Sequence, residues 1–346
     1  MHFRSSLTII AVLAFLGIVT VRTDAAPATY PVGIAQIEYV TATDHRPMWM
    51  AMFYPAALKD PSAAQFHVPF TINLRLYTDA PFIGDGAKHP LIMLSHGRGS
   101  DAWQYVWLAQ ALASHGYIVA GLNHYRANTY DREIGYLANM IWQRPVDISL
   151  DIDHLLADPV WGPRIDPDRI GVMGHSQGGF TALWIGGARI NPDVFLAFQR
   201  RFINNPQIPE AIRKELPLDA APALKVADQR VKAVMAMAPG IIQAFGMDAA
   251  GLGELKVPAF LTVGASDTQT PPKENAVFAA RHIPHSQLWV IPGAVDHEIF
   301  TNECDEEGRN EFPEGCIDKP GVNRHILHGE IAARALKFFG DHLPAR

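Results

Sequence analysis

The hexapeptide Gly174-His175-Ser176-Gln177-Gly178-Gly179 follows an apolar run at residues 170–173 and precedes Ala182, Leu183 and Trp184. The run reads as the end of a buried strand, and the segment after Ser176 as the start of a helix. A strand that becomes a helix over so few residues brings backbone against backbone. Only small residues fit two positions either side of the serine. Such a turn holds the serine in a strained conformation, with its hydroxyl exposed at the C-terminal edge of a sheet and above a helix N-terminus. A helix N-cap followed by incidental glycines is the competing reading. The strand before and the helix after favour a nucleophile.

The same change of period recurs along the chain. Strands are expected at 33–40, 48–54, 91–94, 118–122, 170–173, 231–237, 259–263 and 288–291. Helices are expected at 102–115, 144–157, after Ser176, at 274–280 and at 328–339. Short, continuously apolar strands between amphipathic helices predict an α/β fold with a mostly parallel central sheet covered by helices on both faces. The first two strands read as a hairpin-like edge. Residues 191–230 interrupt the rhythm with Phe195, Phe198, Phe202 and several prolines. They read as a helical insertion after the nucleophile helix, either a lid over the site or a surface excursion.

Residues 1–25 are set apart from this domain. Arg4 precedes an apolar stretch at 7–21, and small residues follow at 25–28. This is the pattern of a secretory signal peptide, with a retained N-terminal anchor as the alternative. The expectation is a secreted or periplasmic protein with one domain at 26–346 and no stable membrane span after cleavage. Cys304 and Cys316 are the two cysteines, and in an exported chain such a pair reads as a disulfide. Two thiols do not complete a metal shell, so no metal is expected. The net charge of −6, with no basic run, excludes a nucleic-acid surface.

A serine hydroxyl needs a base to take its proton and a carboxylate to orient that base. On a sheet of this kind the order along the chain is Ser, Asp or Glu, His. Asp267 follows the strand at 259–263, and His297 follows the strand at 288–291. Active-site groups gather at strand C-termini, so both are expected to converge on Ser176. Asp296 adjoins His297 and is badly placed to reach its ring. His285 precedes its strand, while His325 and His328 sit near the terminal helix. His124 ends a strand and is a candidate to line the pocket. These four histidines otherwise read as packed or surface residues.

Acyl transfer also needs donors for an oxyanion. The backbone N–H of Gln177 is one candidate. The loop Ser95-His96-Gly97-Arg98-Gly99 supplies another, the N–H of Arg98, whose side chain reads as a surface arginine. Trp103, Trp107, Tyr125 and Tyr130 lie in or after the loops expected to border the site. Trp103 and Tyr125 are the leading candidates for a substrate pocket, against the alternative that they pack in the core or a lid.

Together, Ser95 to Gly99, Gly174 to Gly179, Gly264 to Asp267 and Asp296-His297 resemble the α/β-hydrolases. Further stretches resemble the predicted dienelactone hydrolase group, close to the platelet-activating-factor acetylhydrolases and bacterial polyester hydrolases. They are Ser114-His115-Gly116-Tyr117, Arg144-Pro145-Val146-Asp147 and Asp166-Pro167-Asp168-Arg169. The resemblance spans about residues 30–342. Dienelactone hydrolases carry cysteine at the elbow, and this chain carries Ser176, so that activity does not transfer. The resemblance implies serine-dependent hydrolysis of a small-molecule or lipid-like ester through an acyl-enzyme, with no cofactor. An acyltransferase or peptidase with the same three residues, or an inactive binding member of the fold, are the other readings.

Overall fold

A computed structural model of the chain describes residues 29–58, 65–131, 141–203, 206, 210 and 226–345. The leader expected at 1–25 lies outside these residues, as does most of the expected insertion beyond residue 203. Among the described residues ten strands form one sheet in the order β10-β9-β8-β7-β5-β6-β2-β1-β4-β3. The strands are β1 Val32–Val40, β2 Pro47–Pro55, β3 Gln65–Phe66, β4 Leu76–Thr78 and β5 His89–Ser95. They continue with β6 Ile118–Asn123, β7 Ile165–His175, β8 Val231–Met237, β9 Ala259–Gly264 and β10 Ser286–Ile291. From β10 to β6 every neighbouring pair is parallel. β2 then joins β6 antiparallel, and β1 joins β2 antiparallel.

β1 and β2 were expected at an edge, and the structure corrects this. β1 also pairs with β4, and β3 pairs with β4, so the two-residue β3 is the outermost strand. A strand so short carries no apolar periodicity of its own to reveal it. The other margin is β10, where the Arg334 guanidinium lies 4.1 Å from the Trp289 ring centroid.

The period of two in the strands divides the interior into two cores. Leu91 and Met93 of β5 pack with Ile148 and Ile152 of α2 (Gln143–Ala157) and with Phe180 and Trp184 of α3 (Gln177–Ile185). Ile92 and Leu94 point the other way. They join Val106 and Leu108 of the helix Val106–Ala113, here α1, and Ile331 and Phe339 of the helix Arg324–His342. The Asn323 side chain caps this last helix by accepting from the Ile326 N–H at 3.0 Å. Part of the expected insertion forms the helix Pro192–Ile203, here α4.

Four of the buried imidazoles are held unprotonated: His96, His124, His175 and His328. Burial holds each well below the ordinary imidazole range, and His328 is brought down to about 3. Three buried carboxyls act oppositely, Asp101 among them, raised by its burial. Burial pushes Asp147 up to about 6 despite Arg46, and raises Asp151 well above its usual range.

Phe339 is fully buried, whereas Ile326 on the same helix is 58% exposed. Phe339→Ala should therefore cost about 3–5 kcal/mol in urea unfolding, and Ile326→Ala less than about 0.5 kcal/mol. The imidazoles set the acid limit. Below about pH 6.5 the unfolded chain takes up four protons that the folded chain refuses, so stability is lost as pH falls. The three raised carboxyls hold protons in the folded state where the unfolded chain has lost them, and so offset part of this. Unfolding free energy should therefore fall as the pH drops from about 6.5 to about 5, in urea titrations at several pH values.

Candidate active site

β7 ends at His175 and α3 begins at Gln177, leaving Ser176 as the whole turn. Its backbone has φ 56° and ψ −118°, a strained conformation for a residue with a Cβ. Neighbouring backbone holds it there. The Ser176 N–H donates to the Met237 carbonyl at 2.8 Å, and the Ser176 carbonyl accepts from the Gly240 N–H at 3.1 Å. The glycines are there for space. A Cβ on Gly178 would lie 1.9 Å from the Ser95 carbonyl oxygen, and one on Gly174 would lie 2.3 Å from the Gly178 carbonyl oxygen.

Asp267 and His297 meet in the loops after β9 and β10. The His297 Nδ1–H donates to Asp267 Oδ2 at 2.7 Å. This leaves Nε2 with its lone pair. Asp267 Oδ2 also accepts from the Thr270 hydroxyl at 2.8 Å. Its Oδ1 accepts from the N–H groups of Gln269 and Thr270 at 2.9 and 2.8 Å. Burial alone would raise this carboxyl, but the His297 bond and charge, with the Thr270 donors, hold it below the usual carboxylate range. It is therefore ionised at neutral pH.

Ser176, Gln177 and His297 line one cavity of about 380 Å³, together with Gly97 and Arg98 of the loop after β5. The candidate oxyanion residues thus border the same space as the candidate nucleophile. Phe198 of α4, Ile241 and Phe245 form an apolar side of the cavity. Gln104, Gln269 and Glu298 contribute polar groups, with Gln269 Nε2 donating to Glu298 Oε1 at 2.9 Å.

His175 and Tyr105 were not foreseen as parts of this site. The Tyr105 hydroxyl accepts from the Gly97 N–H at 3.2 Å and donates to His175 Nδ1 at 3.0 Å. His175 Nε2–H then donates to the His297 carbonyl at 3.1 Å. This chain of neutral bonds joins the loop after β5, the elbow and the histidine loop. Burial, followed by the nearby His297, keeps His175 neutral. Thr270 was also missed. Its signal was legible: an aspartate whose side chain caps the N–H groups two and three residues on is a turn-forming arrangement.

Trp103 and Tyr125 were expected in the substrate pocket, and the structure places both elsewhere. They line a separate cleft with Trp49, Asn123 and Tyr130. Trp103 stacks on Phe66 at 5.2 Å and tilts against Trp49 at 5.4 Å. The cause is the 3-10 turn Ala102–Tyr105, which sends Trp103 to one side and Gln104 and Tyr105 to the other. Trp107 stacks on His328 with ring centroids 3.7 Å apart and donates through Nε1 to the Phe300 carbonyl. His124 lies in a buried network with Ser95 and Asp147, outside the cavity lining.

Cys304 and Cys316 form a disulfide just beyond the His297 turn. Arg324 reinforces the same loop, donating to the Asn302 and Gly315 carbonyls at 3.0 and 2.8 Å. Asp305, beside Cys304, caps a short helix by accepting from the Gly308 N–H. Among the described residues, no cluster of three His, Cys, Asp or Glu side chains could hold a metal ion. None of the helices there is long and apolar enough to cross a membrane.

Comparison with known proteins agrees with this architecture. The family model described as "Platelet-activating factor acetylhydrolase, isoform II" matches residues 62–130. Curated platelet-activating factor acetylhydrolases from Canis lupus familiaris and Bos taurus are 29% and 31% identical, each match covering 28% of this chain and 32% of the relative. The chain thus spans about a third of the length of the curated relatives it matches. A ferulic acid esterase from Streptomyces cinnamoneus is similar in structure, with TM-score 0.64, 22% identity and 93% of each chain covered. A dienelactone hydrolase from Anabaena variabilis has TM-score 0.50 and 15% identity, covering 90% of this chain and 99% of that one. The parallel sheet and the strand-to-helix turn at Ser176 thus belong to a fold shared with these esterase and hydrolase structures, and over residues 62–130 the chain is similar to the platelet-activating factor acetylhydrolases.

Proposed function

We propose that the protein is a serine-dependent carboxylic ester hydrolase that works through an acyl-enzyme on Ser176. The observation that carries this reading is the 2.7 Å pair of His297 Nδ1 and Asp267, whose imidazole borders the same cavity as the strained Ser176. His297 Nε2 takes the Ser176 proton as the hydroxyl attacks the ester carbonyl. The backbone N–H groups of Gln177 and Arg98 receive the developing oxyanion. His297 then gives its proton to the departing alcohol. Water, activated by the same Nε2, releases the acid. Asp267 holds the imidazole in the required tautomer and stabilises its charged form.

The cavity of about 380 Å³, apolar along Phe198, Ile241 and Phe245, suits a small-molecule or lipid-like ester. The name of the curated acetylhydrolases points to the same reaction class. Export to a secreted or periplasmic location is part of the same proposal, supported by the Cys304–Cys316 disulfide, since such bonds persist in oxidising compartments.

The test is hydrolysis of a p-nitrophenyl ester series from acetate to long acyl chains. Ser176→Ala should lose at least about 10⁴-fold in kcat, and Asp267→Asn about 10⁴-fold, with both proteins folded. A Ser176→Ala protein that hydrolyses these esters like the wild type would remove the nucleophile from this role. Peptide p-nitroanilides in parallel separate ester from amide cleavage. Replacing Cys304 and Cys316 together by serine should cost about 3 kcal/mol in chemical unfolding and lower kcat by loosening the His297 loop. If neither changes, the disulfide does not steady that loop.

A further inference from the structure

Arg144, on the first turn of α2, is 2% exposed and takes no part in the steps above. Its guanidinium reaches across to the site. Nη2 donates to the His96 carbonyl and, at 3.2 Å, to Ser95 Oγ. Nε donates to Thr181 Oγ1 at 3.3 Å, and Nη1 lies 3.4 Å from Gln177 Oε1. Two of these partners end β5 and open the loop that carries the Arg98 N–H. The other two lie on the first turns of α3, which carries the Gln177 N–H. One side chain thus ties together the two segments that bear the candidate oxyanion donors.

None of these four partners is a carboxylate. Asp147, whose charge acts on Arg144 through space, makes no hydrogen bond to it and is already engaged. It accepts from Arg46 Nη1 at 2.6 Å and from His124 Nδ1–H at 3.1 Å. The Ser95 hydroxyl completes the arrangement by donating to His124 Nε2 at 2.9 Å. Burial makes the charge costly, bringing the guanidinium down to about 9, yet at neutral pH it remains a cation. A buried cation bonded only to neutral acceptors favours negative charge nearby. The space above the Gln177 and Arg98 N–H groups is where the proposed reaction develops that charge.

We infer that Arg144 is a positioning residue of the oxyanion site: it fixes the loop after β5 against the start of α3, and its charge favours the tetrahedral intermediate over the bound ester. The inference rests on the ester-hydrolase reading. It makes Arg144 act on the transition state more than on ground-state binding, as removal of an oxyanion donor does.

Arg144→Met and Arg144→Lys test this in the full chain, with melting temperatures measured first. Kinetics use p-nitrophenyl acetate, and inhibition uses an alkyl trifluoromethyl ketone, which forms a tetrahedral oxyanion on a serine. Arg144→Met should lose about 100-fold in kcat with KM within threefold, and ketone affinity should fall in parallel with kcat/KM. Arg144→Lys should recover about tenfold of that loss. Where Arg144→Met fails to fold, Arg144→Lys assayed below its melting midpoint carries the test, with a kcat loss of about tenfold at similar KM. A folded variant with wild-type kcat, a loss confined to KM, or an unchanged ketone affinity beside a reduced kcat would each overturn the inference. A wild-type protein inert to every ester overturns the ester-hydrolase reading and takes this inference with it. An active wild type with unaffected variants overturns this inference alone.

Discussion

The contact between Gly178 and the Ser95 carbonyl decides the layout of the sheet's C-terminal edge. With no Cβ at residue 178, α3 starts close against the end of β5, and a methyl group there would sit inside the carbonyl oxygen. That closeness puts the Gln177 N–H beside the loop that carries Gly97 and Arg98. It also leaves Ser176 no room for an ordinary strand or helix conformation, hence its φ of 56°. Bonds from Met237 and Gly240 hold the turn against its strain. The position of the hydroxyl is thus a property of β5, β7 and β8 together.

Two hydrogen-bonded systems extend from this contact. On the His297 side, Tyr105 and His175 link the Gly97 N–H to the His297 carbonyl without any charge. Neutral links suit a place where burial disfavours ionisation, and His175 remains unprotonated. On the α2 side, the links are charged and buried, running from Arg46 through Asp147, His124 and Ser95 to Arg144. Breaking a buried network of that kind leaves ions or donors without partners, so its members are fixed more tightly than apolar neighbours of similar size.

The parts of the site that follow strands were legible in the sequence. Ser176, Asp267 and His297 each come just after an apolar run, and parallel strands deliver their C-terminal ends to one side. Each expected strand falls on an observed one, and β8 spans Val231–Met237 as its apolar run indicates, but β7 begins five residues early at Ile165, and β3 and β4 had no apolar run to mark them. The pocket aromatics were not legible. Trp103 and Gln104 are neighbours, yet a 3-10 turn assigns them to different cavities, and sequence does not show where such a turn points its residues. Phe198 borders the cavity because α4 folds back toward Ile241 and Phe245, a tertiary outcome without a local signal. The buried role of Arg144 was equally hidden, since an arginine at a helix start is ordinarily solvated.

The two margins of the sheet bear on how this molecule behaves in company. Strands that end a sheet present unpaired backbone, and a neighbouring chain can add to them. At one margin, among the described residues, β3 is two residues long. At the other, β10 has six residues, and the Arg334 guanidinium covers the face of Trp289, its largest apolar side chain. An incoming strand therefore meets a stub on one side and a cation-covered indole on the other.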